Sequence, residues 1–107
     1  MNCKFCNNIL KLLPSFDNDI DHYYCENCEG LEYFIYITNP NISNYRIIRY
    51  YNGKKYCMSF DVNYNKFNLY NYSSEMYPSK PILTLDYLPD ITTENFCEKL
   101  PLLLTFA

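Results

Sequence analysis

From position 31 onward the chain alternates short apolar and aromatic runs with turn-forming residues. Leu-Glu-Tyr-Phe-Ile-Tyr-Ile-Thr (31–38) reads as a strand, and Asn39-Pro40-Asn41 breaks it. The runs 45–51 and 54–61 flank Asn52-Gly53. Asn-Gly between two such runs predicts a hairpin, because both turn residues need positive φ. A turn at Asn63-Tyr64-Asn65 leads to a further strand at 66–72, and 82–87 supplies another between Pro81 and Pro89. Strands that follow one another across short turns predict an antiparallel meander of about five strands.

The last segment has a different period. Phe96, Leu100 and Leu103 fall at helical spacing. Thr92 or Thr93 can cap this helix, with Glu94 in the first turn, where the helix dipole favours an acid. Pro101 is expected to end or kink it near Leu100. The apolar face of the helix would close one side of the sheet. We read the fold class as α+β, mostly β: an N-terminal metal-binding unit (1–32), an antiparallel sheet (33–90) and a C-terminal helix (91–107), together one domain of 107 residues.

Composition agrees with a β-rich chain. Aromatics make up 19% of it, as thirteen Tyr and seven Phe with no Trp, and these residues favour strands. Asn sits mostly between the apolar runs, where it suits turns. The joint abundance of Asn, Tyr, Ile, Lys and Phe is also what an AT-rich genome encodes. No apolar stretch approaches the length of a membrane span; the longest is Leu100-Pro101-Leu102-Leu103-Leu104.

Cysteine spacing adds chemistry. Cys3-Lys4-Phe5-Cys6 is followed, after eighteen residues, by Cys25-Glu26-Asn27-Cys28. Two intervening residues let a chain turn sharply and aim both sulfurs at one point, and two such knuckles complete a thiolate tetrahedron around zinc. Asn7 after Cys6 and Gly30 two past Cys28 suit the left-handed conformation that such turns require. The alternative for these cysteines is a pair of disulfides or free buried thiols. Paired C-x-x-C spacing, and a motif starting at the third residue where a secretory signal would lie, lead us to expect a metal in a reducing cytoplasm. Four protein thiolates close the coordination shell, so the expected role of Zn²⁺ is structural, with no position for an activated water.

The first thirty or so residues resemble the zinc-ribbon family, and the knuckles are similar to those of rubredoxins. The resemblance implies Cys3, Cys6, Cys25 and Cys28 as ligands, with zinc in a ribbon or iron in a rubredoxin-like electron carrier. Lys4 and Glu26 stand where such knuckles commonly have Pro, and Asn7 and Glu29 where they commonly have Gly. In length and composition the chain also looks like small zinc-ribbon proteins of unassigned function in phage genomes, which would place it in a host cytoplasm.

Other candidates have plainer readings beside them. His22, the one histidine, could replace a cysteine as ligand, but reads better as a strand-entry residue beside Tyr23 and Tyr24. Asp17-Asn18-Asp19-Ile20-Asp21 mimics the start of a calcium loop. His22 replaces the required Gly there, and Cys28 stands where the bidentate Glu belongs, which leaves a solvated loop tip. Cys57 and Cys97 read as buried free thiols; a Cys57 nucleophile would need His22 as its base.

The formal charge is −3; four ionised thiols and one Zn²⁺ together add −2, so the zinc-loaded protein carries −5. Six acids and no Lys or Arg lie in 17–32, whereas 33–60 holds four bases and no acid. Arg46, Arg49, Lys54 and Lys55, interleaved with Tyr50 and Tyr51, are candidate contacts to single-stranded nucleic acid. Four cations on an acidic protein are a small footprint for that task, and the plainer reading is a solvated hairpin. No acid–base pair or phosphate loop is visible. The expectation is a non-enzymatic module with structural zinc, whose Tyr-rich sheet contacts a protein partner or a second copy. A nucleic-acid-binding ribbon is the first alternative and an iron electron carrier the second.

Overall fold

Burial along the strand Leu31–Tyr36 alternates residue by residue, with Leu31, Tyr33 and Ile35 buried and Glu32, Phe34 and Tyr36 half-buried. The register carries this core face into the three strands that follow. The computed structural model describes residues 1–15, 18–38, 43–72 and 80–107. Among these the strands are β1 (Lys11–Leu13), β2 (Ile20–Tyr24), β3 (Leu31–Tyr36), β4 (Ser43–Tyr51), β5 (Lys54–Asp61), β6 (Lys66–Asn71) and β7 (Leu83–Leu85). They form one antiparallel sheet in sequence order, followed by the helix α1 (Phe96–Leu104). The turn expected at Asn39-Pro40-Asn41, and Asp17 of the acidic loop, lie outside the described residues.

The meander is as expected, but the sheet has seven strands rather than about five. The two additional strands come from the segment between the knuckles. Ile-Asp-His-Tyr-Tyr (20–24) pairs along its full length with β3, from Ile20 opposite Tyr36 to Tyr24 opposite Glu32. Its apolar residues do not alternate clearly, since Tyr23 and Tyr24 are adjacent, so pairing with a strongly alternating neighbour decides its conformation. His22 accordingly sits in mid-strand rather than at a strand entry. Its ring stacks on Phe34 at 4.5 Å, and its Nε2 lies 3.5 Å from a Glu32 carboxylate oxygen.

Two turns match their sequence signatures. Asn52 and Gly53 both have positive φ (50° and 77°), as a tight hairpin requires. Asn65 also lies in the left-handed region, at φ 53°, and ends the turn before β6.

The register aligns the core into rows across the strands. One row is Leu31, Ile47, Met58, Leu69 and Leu83. The next is Tyr23, Tyr33, Tyr45, Phe60, Phe67 and Leu85. Its rings touch in sequence: Tyr33 to Tyr45 at 5.8 Å, Tyr45 stacked on Phe60 at 4.6 Å, and Phe60 edge-on to Phe67 at 5.1 Å. Phe96, Leu100 and Leu103 of α1 join the same buried cluster, as their spacing predicted. Truncating Phe60, which has no solvent exposure, leaves a cavity in the middle of the aromatic row. Phe60→Ala should therefore lower stability by about 3–5 kcal/mol in urea unfolding.

The helix departs from expectation at both ends. Its N-cap is Asn95, without a side-chain capping bond, and the acid in its first turn is Glu98 rather than Glu94. Thr92 acts one turn earlier. The Thr92 amide donates to Asn95 Oδ1 (2.7 Å), and the Asn95 amide donates to Thr92 Oγ1 (3.2 Å). This reciprocal pair spans three residues and forms a tight turn that leads into the helix. Pro101 lies inside α1 and does not end it. Its missing N–H would have served the carbonyl of Cys97, and both residues are on the exposed side, where water can take the place of the lost donor. The same geometry makes Cys97 exposed rather than buried, while Cys57 is buried as expected. Among the described residues no helix is long and apolar enough to cross a membrane.

Candidate metal centre

Each knuckle is built by local backbone bonds. In the first, the Asn7 amide donates to the Cys3 carbonyl (2.9 Å) and the Cys3 amide to the Asn8 carbonyl (2.8 Å). Asn7 takes φ 65°, the left-handed conformation its position predicted. In the second, the Leu31 amide donates to the Cys28 carbonyl (3.3 Å) and the Cys25 amide to the Leu31 carbonyl (3.2 Å). Gly30 sits in this turn at φ 76°. The second knuckle thus forms the connection between β2 and β3.

These turns bring Cys3, Cys6, Cys25 and Cys28 together, with all four Sγ atoms within 4.8 Å of one another. Cys6 and Cys25 are separated by 3.5 Å, and Cys3 and Cys28 by 4.0 Å. A tetrahedral ion with metal–sulfur bonds of about 2.3 Å sets its sulfurs about 3.8 Å apart, so the cluster matches a four-thiolate shell. Backbone amides point at the sulfurs, from Phe5 to Cys3 (3.4 Å) and from Cys28 to Cys25 (3.3 Å). Such donors stabilise negative sulfur. The group can hold a metal ion, on the four residues that the spacing selected.

Three of the four cysteines, Cys3, Cys25 and Cys28, belong to the hydrophobic core, while Cys6 is partly exposed. Burial pushes the Cys28 thiol up to about 12 and raises that of Cys25 as well. The backbone amide of Asn8 pulls the Cys6 thiol down to about 6, against the effect of its own burial. A cleft of about 470 Å³ opens beside the knuckles, with Cys6 and Cys28 in its wall and the turn 92–94 on its far side.

Sequence reasoning missed the groups around the ligands. Tyr33, buried on the core face of β3, brings its hydroxyl to 3.7 Å from Cys3 Sγ and accepts the Lys4 amide at 3.0 Å. The Lys4 ammonium donates to Tyr45 Oη (3.4 Å) and lies 4.6 Å from the centre of the same ring. The alternation of β3 places Tyr33 on the core face, but nothing local to it indicates which buried group it meets.

The remaining candidates fall elsewhere. His22 lies on the opposite face of the sheet from Tyr33, away from the cysteine cluster. Of the basic hairpin, Arg46 and Lys55 occupy that far face, and Arg49 and Lys54 share the parity of the core-facing residues. Arg46 is paired with Glu32 at 2.6 Å and lies over the Phe34 ring. Burial disfavours its charge, but the bond to Glu32 outweighs this and holds the guanidinium above its ordinary value. Arg49 spends two donors on the Glu29 carbonyl, at 3.1 and 2.9 Å. Lys55 lies near both the Tyr50 and Tyr72 rings, at 5.9 and 5.4 Å, and Tyr51 packs against the core. The four cations therefore do not make one continuous surface.

Comparison with protein-family models, curated proteins and solved structures gives no significant match.

Proposed function

We propose that this chain is a small non-enzymatic module in which a structural zinc ion, held by Cys3, Cys6, Cys25 and Cys28, supports a Tyr-rich sheet that contacts a protein partner. The convergence of four thiols on one point carries this reading. Three of the four belong to the core cluster, so the ion would occupy a structural position between the first turn of the chain and β3. A shell filled by protein sulfur leaves no site for substrate or water.

The far face of the sheet supports the contact role. It presents Phe34, Tyr36, Ile48 and Tyr70, each half-buried among the described residues, together with the exposed Tyr50. The Arg46–Glu32 pair adds a polar element of the kind found at recognition surfaces. Both edge strands are only three residues long, which gives little template for edge pairing and favours the face over the edge.

Metal analysis of protein produced with zinc and iron both present tests the first half of the proposal. The expected result is one zinc per chain and no colour; iron would support the electron-carrier reading instead. Sedimentation and affinity capture test the second half, comparing wild type with a Tyr36→Ser, Tyr50→Ser, Tyr70→Ser variant. A second copy or a defined protein should associate with wild type and be lost from the variant. A wild-type protein that stays monomeric and captures nothing the variant does not also capture defeats the contact role.

A further inference from the structure

We infer that Tyr33 is a positioning residue of the metal centre, its hydroxyl donating a hydrogen bond to the Cys3 thiolate. The inference deepens the metal reading above and rests on it. Two contacts of one oxygen determine the direction of the bond. The Lys4 amide donates to Tyr33 Oη at 3.0 Å, so this oxygen already acts as acceptor towards the knuckle backbone. Cys3 Sγ lies 3.7 Å from the same oxygen. A metal-bound thiolate has no proton to give, which leaves the phenol proton as the one that lies between them.

The surroundings hold the phenol in place. Tyr33 is 2% exposed, and its ring packs against Tyr45. Its backbone is paired on both sides, opposite Tyr23 in β2 and Tyr45 in β4. Tyr33 therefore couples the position of Cys3 to the centre of the sheet, through a side chain that cannot move without disturbing the aromatic row. Groups that hydrogen-bond a metal ligand from outside the shell orient it and tune its donor strength. The Tyr33 hydroxyl is such an outer partner for Cys3.

The test is Tyr33→Phe, which keeps the ring and removes the oxygen, with Tyr45→Phe as the matched control. Tyr45 is also buried and also meets Lys4, but its hydroxyl meets the Lys4 ammonium rather than a sulfur. Cobalt(II) serves as the optical probe. A thiolate relieved of a hydrogen bond donates charge more readily, so the sulfur-to-cobalt charge-transfer band should move to longer wavelength in Tyr33→Phe and stay in place in Tyr45→Phe. Loss of the orienting contact opposes this gain in donor strength and should dominate, so zinc affinity by chelator competition should fall about tenfold in Tyr33→Phe, the lower end of the range for such outer partners. In wild-type protein loaded with cadmium-113, the Tyr33 hydroxyl proton should show coupling to the metal, a readout that needs no variant. An unshifted band in Tyr33→Phe with no coupling in the cadmium protein would overturn the inference while leaving the metal site intact. Failure of wild type to bind cobalt in a four-sulfur shell would remove the metal reading and this inference together.

Discussion

Stripping the metal with a strong chelator, or replacing Cys25 with Ser, should abolish cooperative folding. The cluster ties the first turn of the chain to the β2–β3 connection through three core cysteines. Structural zinc contributes on the order of 10–16 kcal/mol of apparent binding free energy in small zinc peptides, and a domain of this size has a total stability of about 5–15 kcal/mol. Losing the metal therefore removes as much free energy as folding has to spare. Circular dichroism and amide NMR spectra should show loss of fixed structure on chelation and its return with added zinc. Cys57→Ser and Cys97→Ser should retain one metal per chain, because neither sulfur belongs to the cluster. An unchanged urea midpoint after complete metal removal would contradict the structural role.

Acid should act as a chelator does. Protons compete for thiolates, and burial keeps Cys25 and Cys28 above the ordinary thiol range when no metal is present. Both must release a proton to bind at neutral pH, so apparent affinity rises with pH and falls as pH is lowered. Titration of zinc release with a colorimetric indicator measures this. The expected curve falls steeply on the acid side, with protons taken up as metal leaves.

The second large effect is expected at Gly30. Its backbone lies at φ 76°, and a Cβ built there would sit 2.0 Å from the carbonyl oxygen of Ile48. That oxygen is backbone and cannot rotate away as a side chain would. The Gly30 carbonyl also accepts the Ile48 amide at 3.0 Å, so the two chains are clamped together at the contact. Gly30→Ala adds left-handed strain of about 1–2 kcal/mol to an overpacking cost of about 1–3 kcal/mol, and should lose roughly 2–5 kcal/mol in all. The distortion falls between Cys28 and β3, so metal affinity should fall with stability. Gly53→Ala is the control. Its φ of 77° is nearly the same, but a Cβ there meets nothing within 4 Å. It should lose only the backbone share, about 1–2 kcal/mol, with metal affinity unchanged. Equal losses at the two glycines in urea unfolding would show that strain, and not the close approach of β4, governs the second knuckle.

The four-cysteine cluster and the meander were legible in the sequence because both depend on local rules. A C-x-x-C turn aims two sulfurs at one point whatever surrounds it, and Asn52-Gly53 specifies its hairpin through the φ values of two residues. Asn7 and Gly30 were readable for the same reason. Residues 20–24 were not, because a segment without clear apolar alternation becomes a strand only when β3 offers it a partner. The course of α1 through Pro101 was equally hidden, since it depends on which side of the helix faces water.

By itself, then, the sequence selected the four cysteines that converge, the order of the strands from β3 to β7 and the apolar face of the helix, because each follows from spacing along the chain. The tertiary structure decided the rest. It extended the sheet to seven strands, turned Cys97 to the surface and separated the hairpin's cations between two faces. It also brought the Tyr33 hydroxyl, thirty residues away in the chain, to the sulfur of Cys3. Such contacts arise from register and packing between distant segments, and no local pattern encodes them.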